Sequence, residues 1–114
     1  MKPLKKFILD KLKVEIHANR TLMGEAAAAA VADRIRSLLK SKESIRMVFA
    51  AAPSQDDILA ALSKTLDLDW SYVTAFHMDE YIGLPAHAPQ LFGHYLRQHI
   101  FEKVEMQKVH FINP

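Results

Sequence analysis

The hydrophobic positions of this chain switch between two periods. Val14, Ile16 and Ala18 alternate with Lys13, Glu15 and His17, the two-residue repeat of a half-buried strand. From Thr21 to Ser41 the residues Leu22, Ala26, Ala30, Ile35, Leu38 and Leu39 recur at helical spacing, and Ala26 to Ala30 is an unbroken alanine run, the best helix former available. Asn19 or Thr21 is placed to cap that helix. Ile45 to Ala52 is apolar except for Arg46 and reads as a short strand buried on both faces. Pro53 and Ser54 stop it. Ser54 with Asp57 forms a capping box that predicts a helix with Ile58, Leu59, Leu62 and Leu66 as its buried stripe.

Asp67 to Ser71 is a polar turn that holds Trp70. In the next strand, Val73 to Met78, alternation sends Val73, Ala75 and His77 one way and Thr74, Phe76 and Met78 the other. Gly83 to Pro89 reads as a loop, Gln90 to Glu102 as a helix anchored by Leu91, Tyr95, Ile100 and Phe101, and Val109, Phe111 and Ile112 as a last strand. Near the start, Phe7, Ile8 and Leu9 among Lys2, Lys5, Lys6, Lys11 and Lys13 read as a short amphipathic helix with a solvated basic face.

Strands and helices alternate from Val14 onward. The pattern predicts an α/β domain over residues 1–114, with a mostly parallel sheet and helices on both faces. In such sheets ligands bind beyond the carboxyl ends of the strands. That rule selects the turn after Ala52 and the turn after Met78.

Composition narrows the classes. The chain has 114 residues, half of them hydrophobic and a quarter charged, which is a globular balance with room for one core. It has no cysteine, which removes disulfides and thiolate chemistry. A net charge of +2, with the cations spread out, does not form a nucleic-acid footprint. No window reaches the roughly 18 apolar residues of a membrane span, and the start lacks the apolar core of a secretory signal.

Two turns carry candidate chemistry. Small residues at Ala50-Ala51-Ala52-Pro53-Ser54-Gln55 allow a ligand near the backbone, and a helix start at Ser54 aims amides at an anion. No glycine is present there, so neither common nucleotide-binding fingerprint applies. An ordinary strand-to-helix turn with a serine cap accounts for the same residues. At His77-Met78-Asp79-Glu80-Tyr81, two adjacent carboxylates stand at the end of a buried strand. Desolvation there would raise a carboxyl pKa and suit it to proton transfer. The plainer reading is that Asp79 caps a loop and Glu80 faces solvent. His77 and Asp79, two apart on one face, could also share a metal. The other histidines, His17, His87, His94, His99 and His110, read as surface residues.

The segment Phe76-His77-Met78-Asp79-Glu80-Tyr81-Ile82-Gly83-Leu84-Pro85 resembles the glucosamine-6-phosphate deaminase (isomerase) family, whose third strand ends in Asn-Met-Asp-Glu-Tyr before a Gly-Leu loop. The likeness runs on through Pro89, Phe92, Arg97 to Phe101 and Val104. Upstream, Met23-Gly24-Glu25-Ala26-Ala27-Ala28 resembles the family's first long helix. The resemblance implies a phosphosugar-isomerase-like fold and a cytoplasmic enzyme of amino-sugar catabolism. That enzyme opens glucosamine 6-phosphate, moves a proton between C2 and C1, and releases ammonia to leave fructose 6-phosphate. By the same resemblance Asp79 is the base and Glu80 supports the loop, while Ala52, Ser54 and Gln55 contact the substrate's phosphate.

The partner implied is a small-molecule sugar phosphate, with no nucleic acid and no membrane; a homo-oligomer is compatible with this. The resemblance implies no metal and no organic cofactor.

The chain departs from the family in three places. Ala51-Ala52-Pro53-Ser54-Gln55 stands where the family has a Thr-Gly-Gly-Thr-Pro type loop. His77 replaces an asparagine and Leu91 a serine. The family's ring-opening histidine and further carboxylates lie beyond the last strand here, so the expectation is an amino-terminal part that is inactive alone. Such a part would have an open sheet edge, prone to aggregate or to need a partner. Two other functions fit the residues: an effector-binding module that senses sugar phosphates, and a metal-dependent hydrolase using His77 and Asp79.

Overall fold

The computed structural model describes residues 2–112. Asn113 and Pro114, at the end of the last expected strand, lie outside them. The chain opens with two strands, β1 (Lys5–Leu9) and β2 (Leu12–Ile16), paired antiparallel with Phe7 opposite Val14 and Leu9 opposite Leu12. The expected amphipathic helix is therefore a strand. Lys5, Phe7 and Leu9 already alternate with Lys6 and Ile8, and Asp10 takes the left-handed conformation (φ 54°) that a tight hairpin turn requires. β2 is the strand read from Val14 and Ile16, but it pairs with β1 and not with the parallel sheet. The register puts Phe7, Leu9, Leu12, Val14 and Ile16 on one face, which stays largely open to solvent, so the half-buried strand expected here is not found.

Helix α1 (Arg20–Leu39) begins where Asn19 accepts a hydrogen bond from the Leu22 amide at 2.9 Å. Its buried face runs Gly24, Ala28, Ala32 and Ile35. These small residues let helix α2 (Asp56–Ser63) approach closely: a Cβ at Gly24 would stand 2.7 Å from the Asp57 backbone. Arg20 locks the crossing, pairing with Asp57 at 2.7 Å and donating to the Pro53 carbonyl at 3.0 Å. α2 is entered through a single 3-10 turn, Pro53–Gln55. No side chain caps it, so the capping box expected of Ser54 and Asp57 does not form. Leu59 and Leu62 are buried as expected, whereas Leu66 lies beyond the helix and is exposed.

Strands β3 (Ile45–Phe49), β4 (Val73–His77) and β5 (Lys108–His110) form a parallel sheet in that order. Ile45 pairs with Val73, Met47 with Ala75 and Phe49 with His77, and Ala75 also pairs with Val109. This row faces the core, where Val73 and Ala75 are completely buried against Ile35, Leu59, Leu62, Trp70, Leu96 and Ile100. The other face is open: Arg46 is exposed, Val48 is 66% exposed, and Phe76 stacks on the exposed His110 ring at 4.8 Å. The helices of the described residues thus contribute one of the two expected layers. β3 is not buried on both faces within them, although its apolar run reads that way. The last helical stretch is α3 (Phe92–Leu96), which widens into a π-helical turn over Arg97–Phe101 and packs Phe101 edge-on against Phe49 at 5.4 Å.

Candidate active site

β3 and β4 deliver their carboxyl ends side by side, and the Met78 amide donates to the Phe49 carbonyl at 3.0 Å just past the sheet. Beyond β3, Ala52 sits at φ 90°, ψ 165°, a conformation that is essentially glycine's. Its carbonyl accepts the Gln55 amide at 2.9 Å. Pro53 has no amide, so Ser54 is the residue of this turn whose N–H is free of that bond. Ser54 is exposed, with Ala52 and Gln55 half-buried.

The first turn of α2 already carries Asp56 and Asp57. Two carboxylates there compete with any anion for the positive helix end. Asp57 is taken by Arg20. Asp56 accepts the Tyr95 hydroxyl at 2.5 Å and lies 3.5 Å from the His99 ring, which stacks on Tyr95. Burial, then the bond to Asp56 and the charges of Asp56 and Asp57, hold the Tyr95 hydroxyl above its ordinary pKa.

Beyond β4 the arrangement is tighter. His77 is the buried polar residue of the core, 5% exposed. Its Nδ1 lies 3.0 Å from the Asp79 carbonyl, and its Nε2 accepts the Ile112 amide at 3.0 Å. Asp79 projects from this anchored backbone into solvent. The buried, desolvated Asp79 expected from the strand pattern is not found, because the chain turns out of the sheet after His77.

Glu80 turns inward. Its carboxylate accepts amides from Tyr81 at 3.0 Å, Phe92 at 2.8 Å and Gly93 at 2.9 Å. It thereby caps α3 from twelve residues upstream, where no local residue caps it. Partial burial pushes the Glu80 carboxyl upward, but the amides of Gly93, Phe92 and Tyr81 outweigh it and leave the pKa below its ordinary value. So Glu80 does not face solvent, and it is Glu80 rather than Asp79 that caps. Gly93 makes room for this: a Cβ there would meet the Phe111 ring at 3.2 Å and Glu80 Oε2 at 3.3 Å.

The comparisons with known proteins bear on these two turns. The chain is 34% identical over 92 residues to glucosamine-6-phosphate deaminase 2 of Giardia intestinalis, covering 76% of this chain and 35% of that protein. It is 31% identical over 96 residues to the glucosamine-6-phosphate deaminase of Halothermothrix orenii, covering 83% of this chain and 39% of that one. The likeness is to the glucosamine-6-phosphate deaminase family. No family model matches the chain.

The deaminase-like chain spans a little over a third of the length of these curated relatives. Among solved structures it matches a monomeric glucosamine-6-phosphate deaminase with a TM-score of 0.70 at 19% identity, over 83% of this chain and 40% of that one. It also matches a 6-phosphogluconolactonase from Shewanella baltica with a TM-score of 0.72 at 16% identity, over 84% of this chain and 41% of that one. These two matches establish the α/β fold.

The deaminase-like fold brings the two sequence-selected turns together but does not unite their side chains. Ala52, Ser54 and Gln55 lie beyond β3, and Asp79 and Glu80 beyond β4. Both ring nitrogens of His77 are committed to the backbone, which removes it as a free metal ligand beside Asp79. Among the described residues no group of three or more histidine or acidic side chains could hold a metal ion. An open cavity of about 680 Å³ lies between the Leu84–Leu91 loop and α3, lined in part by His87, His94, Arg97 and Phe111; Asp79 and the Ala52 turn do not border it. Two features here do not show in the sequence pattern. The Glu80 cap and the Tyr95–Asp56 bond join residues far apart in the chain. Gly93, a glycine inside a helical pattern, was the one local signal of the first.

Proposed function

We propose that the protein carrying this chain is a glucosamine-6-phosphate deaminase-like enzyme, and that these residues supply its base and part of its binding surface. An open-chain amino-sugar phosphate would lie across the ends of β3 and β4. Its phosphate would meet Ser54 beside Ala52 and Gln55, and its C2 would face Asp79. The carboxylate takes the C2 proton while the C1 aldehyde accepts the electron pair and a proton at its oxygen, giving an enolamine; the carboxylate returns its proton at C1, which leaves an imine at C2, and water hydrolyses that imine to the ketone and ammonia. Glu80 works at one remove, fixing the loop and α3 behind Asp79.

The carrying observation is the position of Asp79: a solvent-facing carboxylate on a hydrogen-bonded backbone, at the strand end beside the Ala52 turn, in a sequence over 30% identical to named deaminases. A cytoplasmic location accords with a metabolic enzyme, and no helix among the described residues is long and apolar enough to cross a membrane.

The test is Asp79→Asn in the protein that carries this chain, assayed for ammonia release from glucosamine 6-phosphate. Turnover is expected to fall about 10²–10⁴-fold, the usual reach of a general base. Turnover at the parent rate would remove Asp79 from the mechanism.

One observation favours a second reading. The Ala52 turn stands where the family has a Thr-Gly-Gly-Thr-Pro type loop but holds no glycine and no Pro53 amide, and a loop so altered favours a site that senses a sugar phosphate without turning it over more than an intact one would. Calorimetric binding of glucosamine 6-phosphate with no ammonia released would select it.

A further inference from the structure

We infer that His77 is the positioning residue for Asp79, and that it acts as a neutral ring in a single tautomer. The Ile112 amide can only donate, so the Nε2 that it meets at 3.0 Å must present a lone pair. The ring proton is therefore on Nδ1, where it is donated to the Asp79 carbonyl 3.0 Å away. One imidazole thus ties the backbone of the candidate base to the strand end of β4 and, through Ile112, to the segment that follows β5.

The ring cannot drift. It is 5% exposed, tilted against Phe111 at 5.9 Å, and its Nε2 would lie 3.7 Å from a Cβ placed on Gly93. Phe111 is itself held under the Arg97 guanidinium at 3.9 Å. A buried, fully satisfied histidine at this point is more than a packing element. An aliphatic side chain would fill the volume but leave the Asp79 carbonyl free to rotate, and the carboxylate with it. That His77 bears on a reaction rests on the proposed role of Asp79; the tautomer and its two hydrogen bonds do not.

The test has two parts, both on the protein that carries this chain. The first is long-range ¹⁵N–¹H NMR of the His77 ring, where a protonated Nδ1 and an unprotonated Nε2 are expected. A protonated Nε2, or an averaged pair, would overturn the inference. The second compares His77→Asn with His77→Gln. The shorter amide reaches only as far as Nδ1 and can still donate to the Asp79 carbonyl; the longer one reaches as far as Nε2 and can accept from Ile112 instead.

His77→Asn is expected to keep kcat for ammonia release within about threefold of the parent. His77→Gln is expected to lose at least about tenfold in kcat with KM little changed, since a displacement of about 1 Å can cost 10²-fold. Equal kcat in the two variants would overturn the positioning role. A parent that shows the expected tautomer but no turnover would overturn the functional reading alone, and a parent that turns over with the wrong tautomer would overturn this one alone.

Discussion

The turns beyond β3 and β4 are neighbours held by opposite means. The β4 turn is closed from within: His77 bonds the Asp79 carbonyl, and Glu80 gathers the amides of Tyr81, Phe92 and Gly93. The β3 turn is closed from outside: Arg20 reaches across from α1 to the Pro53 carbonyl, and Tyr95 reaches from α3 to Asp56. Its own backbone is strained at Ala52. Under the function proposed above, the difference would separate two tasks. Asp79 as the base would need its position fixed to a fraction of an ångström, and the β4 turn fixes the backbone behind it. A turn that only contacts a phosphate would tolerate looser support.

The comparison breaks most readily at Glu80. Glu80→Ala removes the acceptor of three amides, two of them at the start of α3. The expected cost is about 2–4 kcal/mol, because hydrogen bonds to a charged acceptor contribute about 1.5–3 kcal/mol each and do not add fully. Urea denaturation checks this; a loss under about 1 kcal/mol would show that the cap is not what holds the β4 turn. Gly93→Ala attacks the same cap from the other side. Its methyl group would press on the Phe111 ring and Glu80 Oε2, for an expected loss of about 1–3 kcal/mol by over-packing. An unchanged midpoint would mean that the space behind Glu80 yields freely.

Glu80 also sets a pH signature. Its folded pKa lies below the ordinary 4.5, so the cap stabilises the fold fully above that value and is lost as pH falls through the lower folded value. Thermal melts of the parent should therefore fall from about pH 4.5 downward more steeply than those of Glu80→Gln, whose amide does not titrate. Parallel acid limbs would contradict the cap.

Much of this was legible in the sequence because it is written in local periods. Val73, Ala75 and His77 alternate toward the core as their spacing says, Asn19 caps α1, and the Met-Asp-Glu-Tyr segment points to the same family as the curated relatives that the chain resembles. What failed to show was tertiary. Glu80 and Gly93 are thirteen residues apart and meet only because the Gly83–Pro89 loop folds back, which no period encodes. Val48 looked like core, since an apolar run does not state which of its faces another layer covers. The hairpin was misread because three apolar residues between lysines fit a helix or a strand equally well.

The smallest expected effect sharpens the β3 side. Ala52→Gly should stabilise the fold, the reverse of the usual glycine penalty. At φ 90°, ψ 165° an L side chain carries about 1–3 kcal/mol of strain that glycine does not. Against this stands the extra freedom glycine gives the unfolded chain, about 0.4–1 kcal/mol. The net gain expected is about 0.5–2 kcal/mol, read as a raised urea midpoint with an unchanged slope. Glycine would also clear a methyl group from the face of the turn where a phosphate would approach, so a stabilised variant should bind glucosamine 6-phosphate at least as tightly as the parent. A lowered midpoint would mean that the backbone at Ala52 is not strained, and the contrast between a rigid β4 turn and a strained β3 turn would fall with it.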